Sequence, residues 1–490
     1  MRVHPTGGLA GQGDVAKIYL QTDVPASEWH WDLGEGATPA SSDVAFAAFT
    51  IGPPLRAYHG TVSACNAAGC SDPEPFDYWS GYAYRLEPRF PIVLQEPDLS
   101  SHGSQSAATA ILDQTGRIAV FYWDLYADVL YVARAKVDAP AEPSDWAITS
   151  LGSHPVTSRT ATHLTPFLLG DRFGVFVSPW ENPGPQFVCV AANANPLAES
   201  DWITLPVPTT TMSTACAVWH DRLVLVTFPA VDSEGTVLYR ARTLVPMDVE
   251  ADWDKLLLDA ANPSGEGSSF SDLQLAVADD SLAVVRDRLG SRGMPTMSWT
   301  NDTSLSTSWV TSELPQLPGD IGQLIGSYHS AIASGPANWA VLYRIGNYGL
   351  RLATSATLAP DSPEDWQTVW ISDRNPEVDE EGEQFGATGI DRGSDGWLFW
   401  AVQGDIGPQY QGYATHSYHP TGANDLSYAI ISGVMPTIAP IAKYVYGGKW
   451  ITTPDSRDLF VFTAGPEEQV SPFGLFDSGF SLNLYAWTEP

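Results

Sequence analysis

Apolar residues in this chain fall in short runs of four to nine, rich in Val, Phe, Tyr and Trp, with polar turn residues between them. Runs of that kind predict β-strands. An amphipathic helix needs apolar positions at i, i+3, i+4 and i+7, and no stretch of the chain keeps that rhythm. The 42 Gly and 38 Pro interrupt the chain every few residues, which suits turns. The expected class is all-β.

The runs repeat. Five are entered through a Trp that ends a polar, mostly Pro-containing stretch: PAEPSDW at Trp146, PLAESDW at Trp202, MDVEADW at Trp253, DTSLSTSW at Trp309 and DSPEDW at Trp366, spaced 51 to 57 residues apart. Asp145, Asp201, Asp252 and Asp365 precede the Trp in four cases, and Ser308 takes that place in the fifth. Two strand-like runs lie upstream of each Trp, as in FGVFVSPW (173–180) and FVCVAANA (187–194), and a small-residue run such as SAATAIL (106–112) opens the unit. Each unit therefore predicts four strands. A four-stranded sheet of about 55 residues cannot bury both faces alone, but sheets stacked around an axis can, which is the β-propeller arrangement.

A sixth unit lacks the Trp: FGATGI (385–390), GWLFWAV (396–402), YQGYATHSY (410–418) and LSYAIIS (426–432). An irregular seventh contains IAPIAKYVYG (438–447), KWITT (449–453), DLFVFTA (458–464) and FSLNLYAW (480–487). The reading is a seven-bladed propeller over residues 79–490, with six or eight blades as alternatives. PIVLQE (91–96) is expected to close the ring by pairing with the final blade. The Trp heading each outer strand is expected to cover the seam between adjacent blades, while the Asp caps the preceding turn. Units reading L-Y-x-x-R-A, then a polar loop, then Trp resemble the non-catalytic propellers of bacterial surface proteins over about 100–370. That resemblance implies architecture more than activity.

Residues 1–78 do not follow the repeat. Val62, Ala64 and the residues beyond Asn66–Gly69 read as a hairpin, with Gly69 free to take positive φ. Cys65 and Cys70 flank its loop and would stand opposite each other, which predicts a disulfide; two free thiols are the alternative. The bridge would argue for an oxidising compartment. Cys189 and Cys216 fall in separate units and read as buried thiols. Trp31-Asp32-Leu33-Gly34-Glu35-Gly36 resembles the WDFGDG turn of PKD domains, and Tyr58-His59-Gly60-Thr61-Val62 with Asn66–Gly69 resembles that family's final hairpin. The resemblance implies an immunoglobulin-like β-sandwich; Leu33 and Glu35 depart from its pattern.

Charge narrows the partners. Against 24 Lys+Arg stand 57 Asp+Glu, a formal net charge of −33, which disfavours nucleic acid and anionic membrane surfaces. No apolar run is long enough to span a bilayer as a helix. The opening MRVHPTGGLAGQGD has no apolar core, so either an export signal has been trimmed or none exists.

Familiar catalytic signatures are missing: GxSxG, HExxH, GxxxxGK[ST] and a GxGxxG before a helix. Ser478 in FDSGF lacks the flanking residues of a nucleophile. His416 and His419, three apart on an expected strand, would point to opposite faces and share no metal. Asn301-Asp302-Thr303 is a glycosylation sequon in a suitable host and otherwise a turn. No S-x-D-x-G-x-x-W box of sialidase type occurs. Arg134, Arg240 and Arg351 recur in third strands and are expected to stack on aromatic rings between sheets. The expected ligand face consists of second-to-third turns, with Trp123, Asp124 and Tyr126 in the first unit, Trp180, Glu181 and Asn182 in the second, and Tyr348 in the fifth. Rings cover the apolar face of a pyranose while carboxylates and amides bind hydroxyls. Solvated loop tips are the alternative, and Ca²⁺ is the ion such carboxylates would hold; no other cofactor is expected. The expected function is a secreted or cell-surface, non-enzymatic adhesion module. It would bind glycan or surface protein, or self-assemble through the PKD-like domain. A propeller-fold glycosidase or lyase acting on polysaccharide is the alternative.

Overall fold

A computed structural model of the chain describes residues 2–4, 9–10, 15–21, 26–34, 37–43, 46–50, 56–80, 108–124, 129–138, 140, 143–153, 162–179, 186–208, 214–227, 236–248, 251–258, 273–286, 295–303, 309–315, 330–345, 349–373, 385–403, 409–422, 425–430, 444–454, 456, 458–465, 469–470, 476–477 and 481–487. Among them the protein is all-β, with helix confined to three single 3-10 turns. No helix among the described residues is long and apolar enough to cross a membrane.

Six four-stranded antiparallel sheets follow one another along the described chain, each with its strands in sequence order. Sheet 1 contains Ala108–Leu112, Ile118–Asp124, Val129–Ala135 and Trp146–Ser153. Sheet 2 contains Thr162–Leu169, Arg172–Pro179, Phe187–Ala191 and Trp202–Pro206, and sheet 3 Thr214–Trp219, Arg222–Thr227, Val237–Ala241 and Trp253–Leu257. Sheet 4 contains Leu273–Ala278, Ser281–Arg286, Thr296–Thr300 and Val310–Glu313, and sheet 5 Ala331–Ser334, Trp339–Ile345, Gly349–Ser355 and Trp366–Asp373. Sheet 6 contains Phe385–Arg392, Trp397–Gln403, Gln409–Thr415 and Leu426–Ile430. Sheet 7 shows three strands, Tyr444–Thr452, Asp458–Gly465 and Ser481–Trp487.

The first strand of each sheet lies beside the first strand of the next, and Tyr444–Thr452 lies beside Ala108–Leu112 again. The described sheets thus close a ring of β-propeller type. The seventh unit differs from expectation in one respect: the runs read as two strands at 438–447 and 449–453 form a single strand where described. Its register shifts between Tyr446 and Gly448. A bulge absorbs the extra residue, so the Gly447-Gly448 pair bends a strand instead of turning it. The run at 91–96 lies outside the described residues.

Among the described residues the core is divided into seams, with apolar clusters between sheets 7 and 1 and between successive sheets from 1 to 6, and the repeated Trp sits in them as expected. Trp146 packs with Ile118, Val120, Ile451 and Leu459 between sheets 7 and 1. Trp202 meets Phe121 and Phe173 edge-on, at 5.8 and 5.3 Å between centroids, between sheets 1 and 2. Trp253, Trp309 and Trp366 occupy the next three seams in order. At the sixth Leu426 stands in the same place. Both faces of a sheet therefore face a neighbour, which is why second strands such as Ile118–Asp124 read as unbroken apolar runs.

The N-terminal part forms a six-stranded and a three-stranded sheet. Glu28–Asp32 pairs with Arg56–Asn66, and Glu74–Ser80 pairs with the same strand on its other side, running past the expected boundary at 78. Asp32 Oδ1 accepts the Gly34 amide at 3.1 Å, and Gly34 takes φ 84°, a conformation costly for a residue with a Cβ. Trp31, Leu33 and Val62 are buried behind this turn. Cys65 and Cys70 are register partners and form a disulfide, with Gly69 at φ 128°.

Candidate recognition surface

Antiparallel order fixes which turns share an end of the ring. Turns joining first to second strands and third to fourth strands emerge at one end. Turns joining second to third strands, and the connections between sheets, emerge at the other.

The first end is built from one repeated device. Asp201 Oδ2 accepts the amides of Leu197 and Ala198 at 2.8 and 3.0 Å. Asp252 does the same for Met247 and Asp248, and Asp365 for Asp361 and Ser362. Asp425, ahead of Leu426, accepts from the Thr421 amide and hydroxyl. In each case the Asp carbonyl also accepts an amide from the end of the third strand: Ala192, Arg242, Ala356 and His416. A buried Pro opens each of these turns (Pro196, Pro246, Pro360, Pro420), so the repeat is Pro, four or five residues, Asp, then Trp or Leu. The two backbone donors hold the Asp201 and Asp365 carboxyls below the usual carboxylate range.

Long side chains brace this end across the seams. Arg134, one residue before the partner of Trp146, lies over the Phe173 ring of sheet 2 at 5.6 Å and donates to Asn195. Its guanidinium also pairs with Asp113 at 2.6 Å. Burial pushes that carboxyl up, but bonds from Thr115, Arg134 and the Arg117 amide more than offset it and leave it lowered. Arg240 holds the equivalent place in sheet 3 and donates to the Thr303 carbonyl of sheet 4. Trp299 holds it in sheet 4 and donates to the Pro360 carbonyl of sheet 5 at 2.8 Å. Arg240 also lies 5.8 Å from the Trp219 ring, so stacking describes Arg134 and Arg240. Arg351 also lies in a third strand but at another position: it pairs with Trp370, three residues before the equivalent position at Thr354, and is 1% exposed. The histidines are a correction. The strand Gln409–Thr415 ends before them, and both lie exposed in the following turn, where His419 Nδ1 is 3.4 Å from Asn338 Nδ2.

At the opposite end the structure places the expected ligand residues unevenly. Asp124 ends the second strand of sheet 1, paired with Val129. Tyr126, Trp180, Glu181, Asn182 and Tyr348 lie outside the described residues. Trp123 is corrected: it is fully buried between sheets 1 and 2, 6.1 Å from Phe187, so its ring packs the seam and offers no open face.

Two further polar groups are buried. Arg286 ends the second strand of sheet 4 at this same end, and its guanidinium bonds Ser298, which in turn bonds Thr311 at 2.8 Å. Asp391 pairs with Lys449 across sheets 6 and 7 and accepts the Trp450 amide at 3.0 Å. Burial pushes the Asp391 carboxyl up, although Lys449 pulls it back in part. Lys449 is one of only five lysines, which was the one signal available. Cys189 and Cys216 are free buried thiols, as expected, and burial raises the Cys189 thiol to about 12. Among the described residues no three His, Cys, Asp or Glu side chains are grouped to hold a metal ion.

No protein-family model and no curated protein sequence matches the chain. Among solved structures it is similar to the SapL1 lectin in complex with alpha methyl fucoside, at 10% identity and TM-score 0.39 over 71% of this chain and 100% of that one. It is also similar to the Aleuria aurantia lectin with Fucalpha1-6GlcNAc, at 11% identity and TM-score 0.39 over 68% and 97%. An alpha-L-arabinofuranosidase from Lactobacillus brevis gives 12% identity and TM-score 0.30 over 70% and 93%. Likenesses of this size decide neither ligand nor blade number. The fold rests on the strand pairing and the ring.

Proposed function

We propose that the protein is a non-enzymatic recognition module of the cell exterior: a PKD-like sandwich followed by a seven-bladed propeller that binds glycan. The observation that carries this reading is the difference between the ends of the ring. At one end the turns are spent on their own hydrogen bonds and on braces between sheets, a rigid frame. The segments between second and third strands, which belong to the other end, contain Tyr126, Trp180, Glu181, Asn182 and Tyr348 in sequence, the mixture of rings, carboxylate and amide that suits a pyranose. The Asp32–Gly34 turn and the Cys65–Cys70 hairpin support the PKD-like part, and the disulfide supports an oxidising location.

A glycan array followed by product analysis tests the reading. The expected outcome is retention of an oligosaccharide without turnover, with Trp180→Ala weakening it by about 1–3 kcal/mol and leaving the ring folded. Released product would replace binding by glycosidase or lyase action. Binding to no glycan, or full affinity in Trp180→Ala, would remove this site.

A further inference from the structure

The end of the ring that carries the Asp turns differs from one side to the other. The two most exposed large apolar side chains among the described residues are Leu197, at 70%, and Met247, at 59%. Both occupy one position of the repeat, directly after the buried Pro that opens the third-to-fourth turn, in the adjacent sheets 2 and 3. In sheets 5 and 6 that position is polar, as Asp361 and Thr421. Sheet 1 extends the apolar side. Its Val137, two residues beyond the third strand, is exposed where Asn193, Thr243, Thr357 and Ser417 stand in sheets 2, 3, 5 and 6.

A single exposed aliphatic side chain is ordinary, but these recur at one place in neighbouring repeats. They also stand on backbone that folding has already fixed. The Leu197 and Met247 amides are the ones held by Asp201 and Asp252, each at 2.8 Å. Neither side chain belongs to the apolar cluster of the seam between sheets 2 and 3, which takes Leu244 and Val245 from the same turn. Apolar surface presented on a fixed backbone can be covered by a partner with little further ordering cost.

Charge points to what covers it. Glu199, Asp221 and Asp248 are exposed at this end of sheets 2 and 3. The arginines there are engaged close by: Arg242 with Asp254 at 2.7 Å, Arg172 near Asp171 at 3.9 Å, and Arg222 with the Asp221 carbonyl at 2.9 Å. A second copy of the chain, at net charge −33, would bring acid against acid. The complementary surface is aliphatic and set among Lys or Arg.

We propose that the side of this end bearing Leu197 and Met247 docks a basic amphipathic segment of a partner protein, with aliphatic anchors over these two residues. The surface lies opposite the segments assigned to glycan and does not depend on them.

Fluorescence anisotropy on the full chain tests it, with a labelled synthetic peptide of about 14 residues carrying Leu at i, i+3, i+4 and i+7 and Lys elsewhere. The peptide is expected to bind with an affinity that falls as salt is raised. Leu197→Ser and Met247→Ser should each weaken it by about fivefold or more, with the melting temperature kept because both side chains are exposed. Leu257→Ser removes a side chain 51% exposed at the far end of the fourth strand of sheet 3, and should leave the affinity unchanged. Equal affinity in the Leu197 and Met247 variants, or equal binding of a peptide with Ser for Leu, would reduce the contact to charge alone and overturn the proposal. No binding at about 1 mM peptide would overturn it as well. So would a dimer that Leu197→Ser dissolves, or retention on phosphatidylcholine vesicles that either variant abolishes, since each gives the surface a different occupant.

Discussion

Two adjacent seams of the ring solve one packing problem with different residues. Between sheets 4 and 5, Trp366 fills the space and its indole N–H donates to Ser312 Oγ at 3.1 Å. Between sheets 5 and 6, Leu426 stands at that position beside Trp397 and Phe399, the latter stacked on Tyr413 at 4.8 Å, just as Trp339, Tyr343 and Trp299 surround Trp366. The turn ahead of both is the same, with Asp365 and Asp425 each gathering the amide four residues back. The device has two separable parts. The Asp fixes the path of the chain into the outer strand, and the large side chain only has to fill whatever the neighbouring sheet leaves open.

Truncation should expose that difference most strongly. Trp366→Ala removes the largest kind of side chain from a seam it shares with Trp339, Tyr343 and Trp299 and also strips Ser312 of its donor, so a loss of about 3–5 kcal/mol is expected. Leu426→Ala removes a smaller side chain and no hydrogen bond, and should fall toward the lower part of the range of about 2–5 kcal/mol for such a change. Chemical denaturation midpoints measure both, and equal losses would break the comparison. Ser312→Ala sharpens it at lower cost. Leu205 and Leu256 hold the equivalent position facing the seams of Trp253 and Trp309, whose indole N–H groups meet no acceptor among the described residues. A seam without that acceptor is thus already tolerated in this ring, and about 1 kcal/mol is expected from the orphaned donor. No measurable change would show the bond to be incidental.

The same separation explains what was legible in the sequence. The Asp-Trp period announced five sheets because both parts of the device are present or nearly so. Sheet 4 has Ser308 for the Asp, and sheet 6 keeps Asp425 but exchanges the Trp, so its strands had to be found one by one. The site was far less legible. Alternation along Ile118–Asp124 divides Ala119, Phe121 and Trp123 from Ile118, Val120 and Tyr122, but both sets face a neighbouring sheet. With no polar face for contrast, nothing in the pattern distinguished the buried Trp123 from a ring at a turn tip. LRLATSAT and LYVARAKV pair with their fourth strands in the same register, so Thr354 takes the place of Arg134 and Arg351 stands three positions earlier, where Tyr131 stands in sheet 1. The braces at Arg134, Arg240 and Trp299 depend on contacts across seams, which one strand's sequence does not encode.

The smallest expected effect concerns the part shared by both seams, and it carries a sign. The Asp365 carboxyl is held below its usual range first by the amides of Asp361 and Ser362. A carboxyl whose folded value is depressed contributes stability in full above its unfolded value, near 3.8, and loses it as pH falls through the folded one. The window is therefore acidic, from about pH 5 downward. Asp365→Asn keeps the oxygen acceptor but removes the titration, so wild type should lead the variant in melting temperature at pH 7 and lose that lead progressively as the pH falls through the acidic range. Asp391 runs the other way: its carboxyl is raised by burial, so its contribution is lost as pH rises. Acidification should therefore loosen the turn at Asp365 while sparing the Asp391 contribution between sheets 6 and 7. A lead for wild type that instead stayed constant down to pH 3 would mean that the turn aspartate acts through its shape alone, and that the amides around it do not prefer the charge.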